Sequence, residues 1–99
     1  MTEGSTVNGA VVIQASVLLA HDVGLHARPS VKLTKLAKSF VAEIELATAR
    51  EGPWVDAKSI VKVMALKARK DAILFFGAKG ADAEIALSAL VLLVERDFE

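Results

Sequence analysis

The sequence predicts an α+β domain, with helices packed on one face of a mostly antiparallel sheet. Three observations carry this. Ile13 to Leu19 alternates, placing Ile13, Ala15, Val17 and Leu19 on one face and Gln14 and Ser16 on the other, as a half-buried strand does. From about Ala27 the period lengthens: Leu33, Leu36, Ala37 and Phe40 share one side of a helix, opposite Lys32, Lys35, Lys38 and Ser39. Near the C-terminus, Ile85, Ala86, Ala89, Leu90, Leu93 and Val94 form a broad apolar face over a final helix starting at Ala81 or Asp82 and running to about Glu95, widened by Val91 and Leu92.

The remaining elements follow in chain order. Residues 1–10 read as a flexible polar leader, with Gly4, Ser5, Asn8 and Gly9, ahead of a single domain over 11–99. After the first strand, Ala20 to Val23 is a loop whose His21 reads as a solvated residue. His21, Asp22 and His26 without a cysteine make a poor spacing for zinc, so no metal is expected. Gly24 suits a positive φ or a close approach of the main chain to a phosphate, and Leu25 anchors the turn in the core. Val41 to Leu46 alternates again, with Ala42, Ile44 and Leu46 inward and Glu43 and Glu45 outward. A turn over Ala47 to Pro53 leads to a short edge strand, Trp54-Val55-Asp56, with Trp54 expected to cover the sheet. Ser59 suits the cap of a short helix containing Ile60, Val61, Val63, Met64 and Leu66. Ala72 to Phe76 is a further strand, closed by a turn at Gly77-Ala78-Lys79-Gly80. The order is β-α-β-β-α-β-α.

Composition narrows function. Hydrophobic residues make up 54% of the 99 residues against 24% charged, the balance of a packed domain rather than a disordered chain. Twelve basic residues offset twelve acidic ones, which argues against a nucleic-acid-binding surface. Without cysteine there is no disulfide or thiol nucleophile, and the chain suits a reducing compartment. Ala10 to Ala20 has about half the length of a membrane-spanning helix. No Lys or Arg precedes it, so it is not read as a secretory signal, and the expected setting is the cytoplasm.

The chemistry concentrates where the first strand gives way to the first helix, at Gly24-Leu25-His26-Ala27-Arg28-Pro29. Proline in the first helical turn loses no hydrogen bond, so Pro29 fixes the helix start near Ala27 and leaves His26 at or just before the N-cap. A helix start offers unpaired N–H groups and a partial positive charge, a ready place for a phosphate. Arg28 adds a fork of donors. The same positive end disfavours imidazolium, keeping the His26 ring nucleophilic toward phosphorus. Spacing alone also fits a polar residue at a helix start beside a solvated arginine, and by itself favours that plainer reading.

Gly24 to Pro29, followed by Ser30, resembles the active-site signature of the HPr family, the histidine-containing phosphocarriers of the bacterial phosphoenolpyruvate-dependent sugar phosphotransferase system. Asp56-Ala57-Lys58-Ser59-Ile60-Val61-Lys62-Val63-Met64-Ala65-Leu66 resembles the regulatory-serine region of the same family, with Ser59 33 positions after His26. The resemblance implies an open-faced β-sandwich with sheet order 1-4-2-3. It implies that His26 accepts and donates the phosphoryl group through Nδ1, that Arg28 and the backbone N–H of Ala27 stabilise it, and that Ser59 is a site of regulatory phosphorylation by an HPr kinase/phosphorylase. It further implies enzyme I as donor, IIA-type proteins as acceptors, and a docking patch of Ile60, Val61 and Met64 ringed by Lys35, Lys38 and Lys62. No cofactor, nucleic acid or membrane insertion is implied, and a monomer is expected. Val23 departs from the small or polar residue common in the family before Gly24, so side-chain support for His26 is not expected from it.

Two rival readings stand beside the carrier. One is a regulatory HPr paralogue, a phosphorylation-dependent binding module without sugar transport downstream. The other is an enzyme using His26 as general base, disfavoured because no second acid or base is placed beside it and the chain is too small to enclose a substrate.

Overall fold

The computed structural model describes residues 2–7, 10–22 and 24–99, with side chains from Val12 onward in those ranges. Its elements are β1 (Thr2–Val7), β2 (Ala10–Leu18), α1 (Ala27–Lys38), β3 (Glu43–Ala47), β4 (Val55–Asp56), α2 (Ile60–Ala65), β5 (Ile73–Lys79) and α3 (Ala83–Glu95). They form one antiparallel sheet in the order β1-β2-β5-β3-β4. Without β1, the remaining order β2-β5-β3-β4 is the expected 1-4-2-3 arrangement.

The N-terminal stretch differs from the expected flexible leader. Thr2–Val7 pairs antiparallel with β2, Thr2 opposite Ala15 and Val7 opposite Ala10, as a fifth strand on the edge. Glycine, serine and asparagine made the stretch read as irregular. Its β-branched Thr2, Thr6 and Val7 nonetheless suit a strand, and pairing satisfies the backbone groups along the edge of β2. Met1, Asn8, Gly9 and Val23 lie outside the described residues.

The helices cover one face. α3 packs on β2 and β5, and α1 lies against α2 and α3. Between them Leu19, Leu33, Leu46, Leu74, Phe76, Leu87 and Leu90 are sealed from solvent. Alternation was a faithful guide here: Ala15, Val17 and Leu19 are buried, as are Ala42, Ile44 and Leu46, while Glu43 and Glu45 face out. On the uncovered face, Trp54 borders a shallow groove with Gln14, Glu45 and Gly77. Its ring lies over Gly77, where an added Cβ would meet it at 3.6 Å, and its Nε1–H donates to the Arg50 carbonyl at 3.1 Å. Trp54 therefore covers the sheet as expected, although the strand proper starts at Val55.

Two boundaries differ from expectation. Gly77, Ala78 and Lys79 belong to β5 rather than to a turn, because each pairs on both sides or at the strand end: Gly77 lies opposite Gln14 on β2 and Glu45 on β3. In α3 the buried stripe runs through Ala83, Ala86, Leu87, Leu90 and Val94, whereas Ile85 is 68% exposed. The helix is apolar nearly all round, so periodicity did not fix which side faces the sheet.

Asp82, at the N-cap of α3, does not cap its own helix. Its carboxylate accepts the N–H groups of Val41 at 2.9 Å and Ala42 at 2.8 Å, joining the start of α3 to the end of the α1 loop. The Val41 N–H first, and the other backbone donors with it, hold the carboxyl below its ordinary range.

Candidate functional site

The loop between β2 and α1 is fixed from below. Gly24 has φ +71° and sits against the backbone of Ala68 and Arg69; a Cβ there would lie 2.4 Å from the Ala68 carbonyl oxygen. The positive φ is as expected, whereas the close approach is to the chain's own backbone. This contact lets the Leu25 N–H donate to the Ala68 carbonyl at 2.9 Å and drops the Leu25 side chain into the core. The Gly24 N–H donates to the His21 carbonyl, also at 2.9 Å.

His26 then emerges exposed, at the N-cap of α1, with φ −91° and ψ −161°. Its side chain makes no capping hydrogen bond. Plain helix capping therefore does not account for a histidine here. Its carbonyl accepts the first helical bond, from the Ser30 N–H at 3.0 Å. The N–H groups of Ala27 and Arg28 fall in the helix's first turn, where no intrahelical acceptor exists, and no other acceptor meets them among the described residues. Pro29 is buried and has no N–H to satisfy. Arg28 is exposed, and no ion pair engages it among the described residues.

Buried polar groups brace the helix behind the site. Ser30 Oγ donates to the Leu25 carbonyl at 3.1 Å, and Thr34 Oγ1 donates to the Ser30 carbonyl at 3.0 Å. Beside His26, a groove is lined by His21, Arg28, Pro29, Lys32, Asp97, Phe98 and Glu99. Lys32 reaches across to the Phe98 carbonyl at 2.7 Å, and the Phe98 ring is buried. Sequence reasoning missed this tie between α1 and the C-terminal turn. The signal was an isolated aromatic in the otherwise charged stretch Glu95 to Glu99.

His21 also differs from expectation. Rather than being solvated it is half-buried, its ring edge-on to Phe98 at 5.8 Å and 5.7 Å from the ring of His26. The described residues contain no group of three or more His, Cys, Asp or Glu side chains able to hold a metal ion.

Ser59 lies elsewhere, at the N-cap of α2, where its Oγ accepts from the Lys62 N–H at 3.4 Å. Of the expected docking residues, Val61 is 76% and Met64 39% exposed, Ile60 is half-buried, and Lys35, Lys38 and Lys62 are exposed. Val63 belongs to the core.

The PTS HPr component phosphorylation site family model matches residues 13–96. The chain belongs to the HPr family. HPr proteins are phosphocarriers of the phosphotransferase system rather than enzymes, and the chain is an HPr-type phosphocarrier. It is 38% identical over 87 residues to the phosphocarrier protein HPr of Cupriavidus necator, covering 88% of this chain and 96% of that one. It is 30% identical over 89 residues to the phosphocarrier protein NPr of Escherichia coli, covering 90% and 98%. Among solved structures it resembles HPr from Thermoanaerobacter tengcongensis at a TM-score of 0.79 and 32% identity, over 86% of this chain and 93% of that one. The chain also matches multiphosphoryl transfer proteins, spanning about a fifth of their length. No helix among the described residues is long and apolar enough to cross a membrane.

Proposed function

We propose that His26 carries the phosphoryl group, taking it from phosphorylated enzyme I and passing it to the histidine of a IIA-type protein. The observation that carries this reading is an exposed imidazole at the N-cap of α1, beside Arg28 and the unpaired N–H groups of Ala27 and Arg28. In the transfer, the Nδ1 lone pair attacks phosphorus, the new N–P bond forms as the donor's N–P bond breaks, and the donor imidazole leaves with the electron pair. Three phosphoryl oxygens then bear the charge, within reach of the guanidinium and the helix's first N–H groups. The step needs alignment and charge compensation more than an enclosing pocket, which suits a site at the surface.

Val61 and Met64, with Lys35, Lys38 and Lys62, form the docking patch in this reading: exposed apolar side chains for contact and cations for an acidic partner. Ser59 is proposed as a regulatory phosphorylation site. Its hydroxyl is half-buried at the start of α2, next to Val61, so a phosphate there would oppose an acidic partner at the docking patch without removing a core residue. The proposed setting is the cytoplasm and the proposed working state a monomer.

The test is incubation with phosphoenolpyruvate and enzyme I, followed by intact mass before and after mild acid. The expected product gains one acid-labile phosphoryl group, which is absent in His26→Ala and forms about 10- to 100-fold more slowly in Arg28→Ala. No gain with active enzyme I overturns the general carrier reading.

A further inference from the structure

His21 Nδ1 is fully buried with no hydrogen-bond partner, and it is the only side-chain atom in that condition among the described residues. A buried polar atom left unpaired costs free energy, so it persists where something else fixes the ring. Here the ring is held edge-on against Phe98, which is itself sealed in the C-terminal turn. An N–H at Nδ1 would be a donor stranded away from every acceptor, so the ring's proton belongs on Nε2. His21 lines the groove with Arg28 and Lys32, its ring 5.7 Å from that of His26, and with Nδ1 sealed its remaining nitrogen is Nε2.

We infer that His21, through its Nε2–H, is a second side-chain donor to the phosphoryl group held on His26. The inference rests on the carrier reading above. A phosphoryl oxygen stands about 3 Å beyond the ring nitrogen that bears the phosphorus, and a donor needs a further ~3 Å, a reach that matches neighbouring imidazoles at this separation. Lys32 is already committed to the Phe98 carbonyl, which leaves Arg28 and His21 as the groove's free donors. The arrangement places a polar group beside His26 from a position five residues upstream, where Val23 has none to offer. An N–H directed at a phosphoryl oxygen makes a charge-assisted bond, stronger than one between neutral groups. His21 thus holds the phosphoryl group in place and slows its loss to water.

The experiment compares wild type with His21→Phe, which keeps a ring against Phe98 and removes both nitrogens, and with His21→Gln, which keeps a donor near the Nε2 position. Each is phosphorylated with enzyme I and phosphoenolpyruvate, and the phosphohistidine half-life and ³¹P spectrum are recorded. The expected result is a half-life about ten-fold shorter in His21→Phe, a displaced ³¹P signal, and recovery to within about three-fold of wild type in His21→Gln. On unsubstituted protein, phosphorylation is expected to shift the His21 Nε2 resonance in a long-range ¹H–¹⁵N spectrum. An unchanged half-life in His21→Phe, equal losses in both variants, or an unmoved His21 resonance overturns the inference while leaving the carrier reading intact. A wild-type chain that takes no phosphoryl group on His26 overturns both.

Discussion

Adding one methyl group at Gly24 tests how the His26 loop is held. The residue has φ +71°, and a Cβ there would lie 2.4 Å from the Ala68 carbonyl oxygen and 3.0 Å from the Arg69 Cα. Both neighbours are backbone, so no side chain can swing aside. The left-handed conformation costs an L-residue about 1 to 2 kcal/mol. Forcing the two backbone segments apart adds about 1 to 3 kcal/mol. Gly24→Ala is therefore expected to lose about 3 kcal/mol, a large share of what a domain of this size possesses. Thermal unfolding should fall by about 12 to 24 °C. The displaced segment also carries the Leu25 N–H bond to Ala68, so His26 shifts relative to the first turn of α1. A misplacement of about 1 Å costs on the order of 100-fold in rate, so transfer should slow well beyond what unfolding explains. Gly77→Ala is the control, because Gly77 has no positive φ and its nearest contact would be 3.6 Å away. Urea denaturation of both variants, with transfer rates measured where each is fully folded, decides the matter. Gly24→Ala within 0.5 kcal/mol of wild type, on the order of an ordinary surface change, refutes the reasoning.

Four further outcomes are expected. Ser30→Ala removes a buried hydroxyl and leaves the Leu25 carbonyl without its donor, costing about 1 to 2 kcal/mol by urea denaturation. Leu33→Ala empties a fully buried site between α1 and the core and should cost about 2 to 5 kcal/mol in the same assay. Asp82 has its carboxyl held low by the Val41 and Ala42 N–H groups, so its stabilisation is complete above the ordinary carboxylate value of 3.8 and fades as pH falls through the lower folded-state value. Wild type should accordingly exceed Asp82→Asn in stability at pH 7, and the gap should narrow under strong acid; a gap constant with pH contradicts this. Val61→Glu with Met64→Glu should leave stability within about 1 kcal/mol while slowing transfer from enzyme I, and raised salt should slow the unsubstituted protein too.

The relation between sequence and structure is clearest at particular residues. Glu43, Ile44, Glu45 and Leu46 alternate cleanly because one face of β3 meets the core and the other meets solvent, so the pattern declares the strand and its orientation together. The start of α1 was equally legible, since Pro29 restricts where a helix can begin and His26 falls at its N-cap. In α3 the pattern failed on Ile85 and Leu87, because both are large and apolar and only the sheet decides which is covered. β1 was missed for a different reason: its strand character comes from pairing with an edge three to thirteen residues further along the chain, while its own composition resembles a turn. His21 shows what local reading cannot supply. Its burial depends on Phe98, which the chain brings back from its far end after α3. Sequence and resemblance thus selected His26 and Arg28, and the fold adds Ser30, Lys32 and His21 around them.

The chain has two histidines, so the central claim reduces to which nitrogen carries phosphorus. The most direct measurement is a ³¹P–¹⁵N correlation on uniformly labelled protein phosphorylated by enzyme I and phosphoenolpyruvate. The account predicts coupling to Nδ1 of His26 and to no nitrogen of His21. Coupling to His21, or to neither histidine, would contradict it.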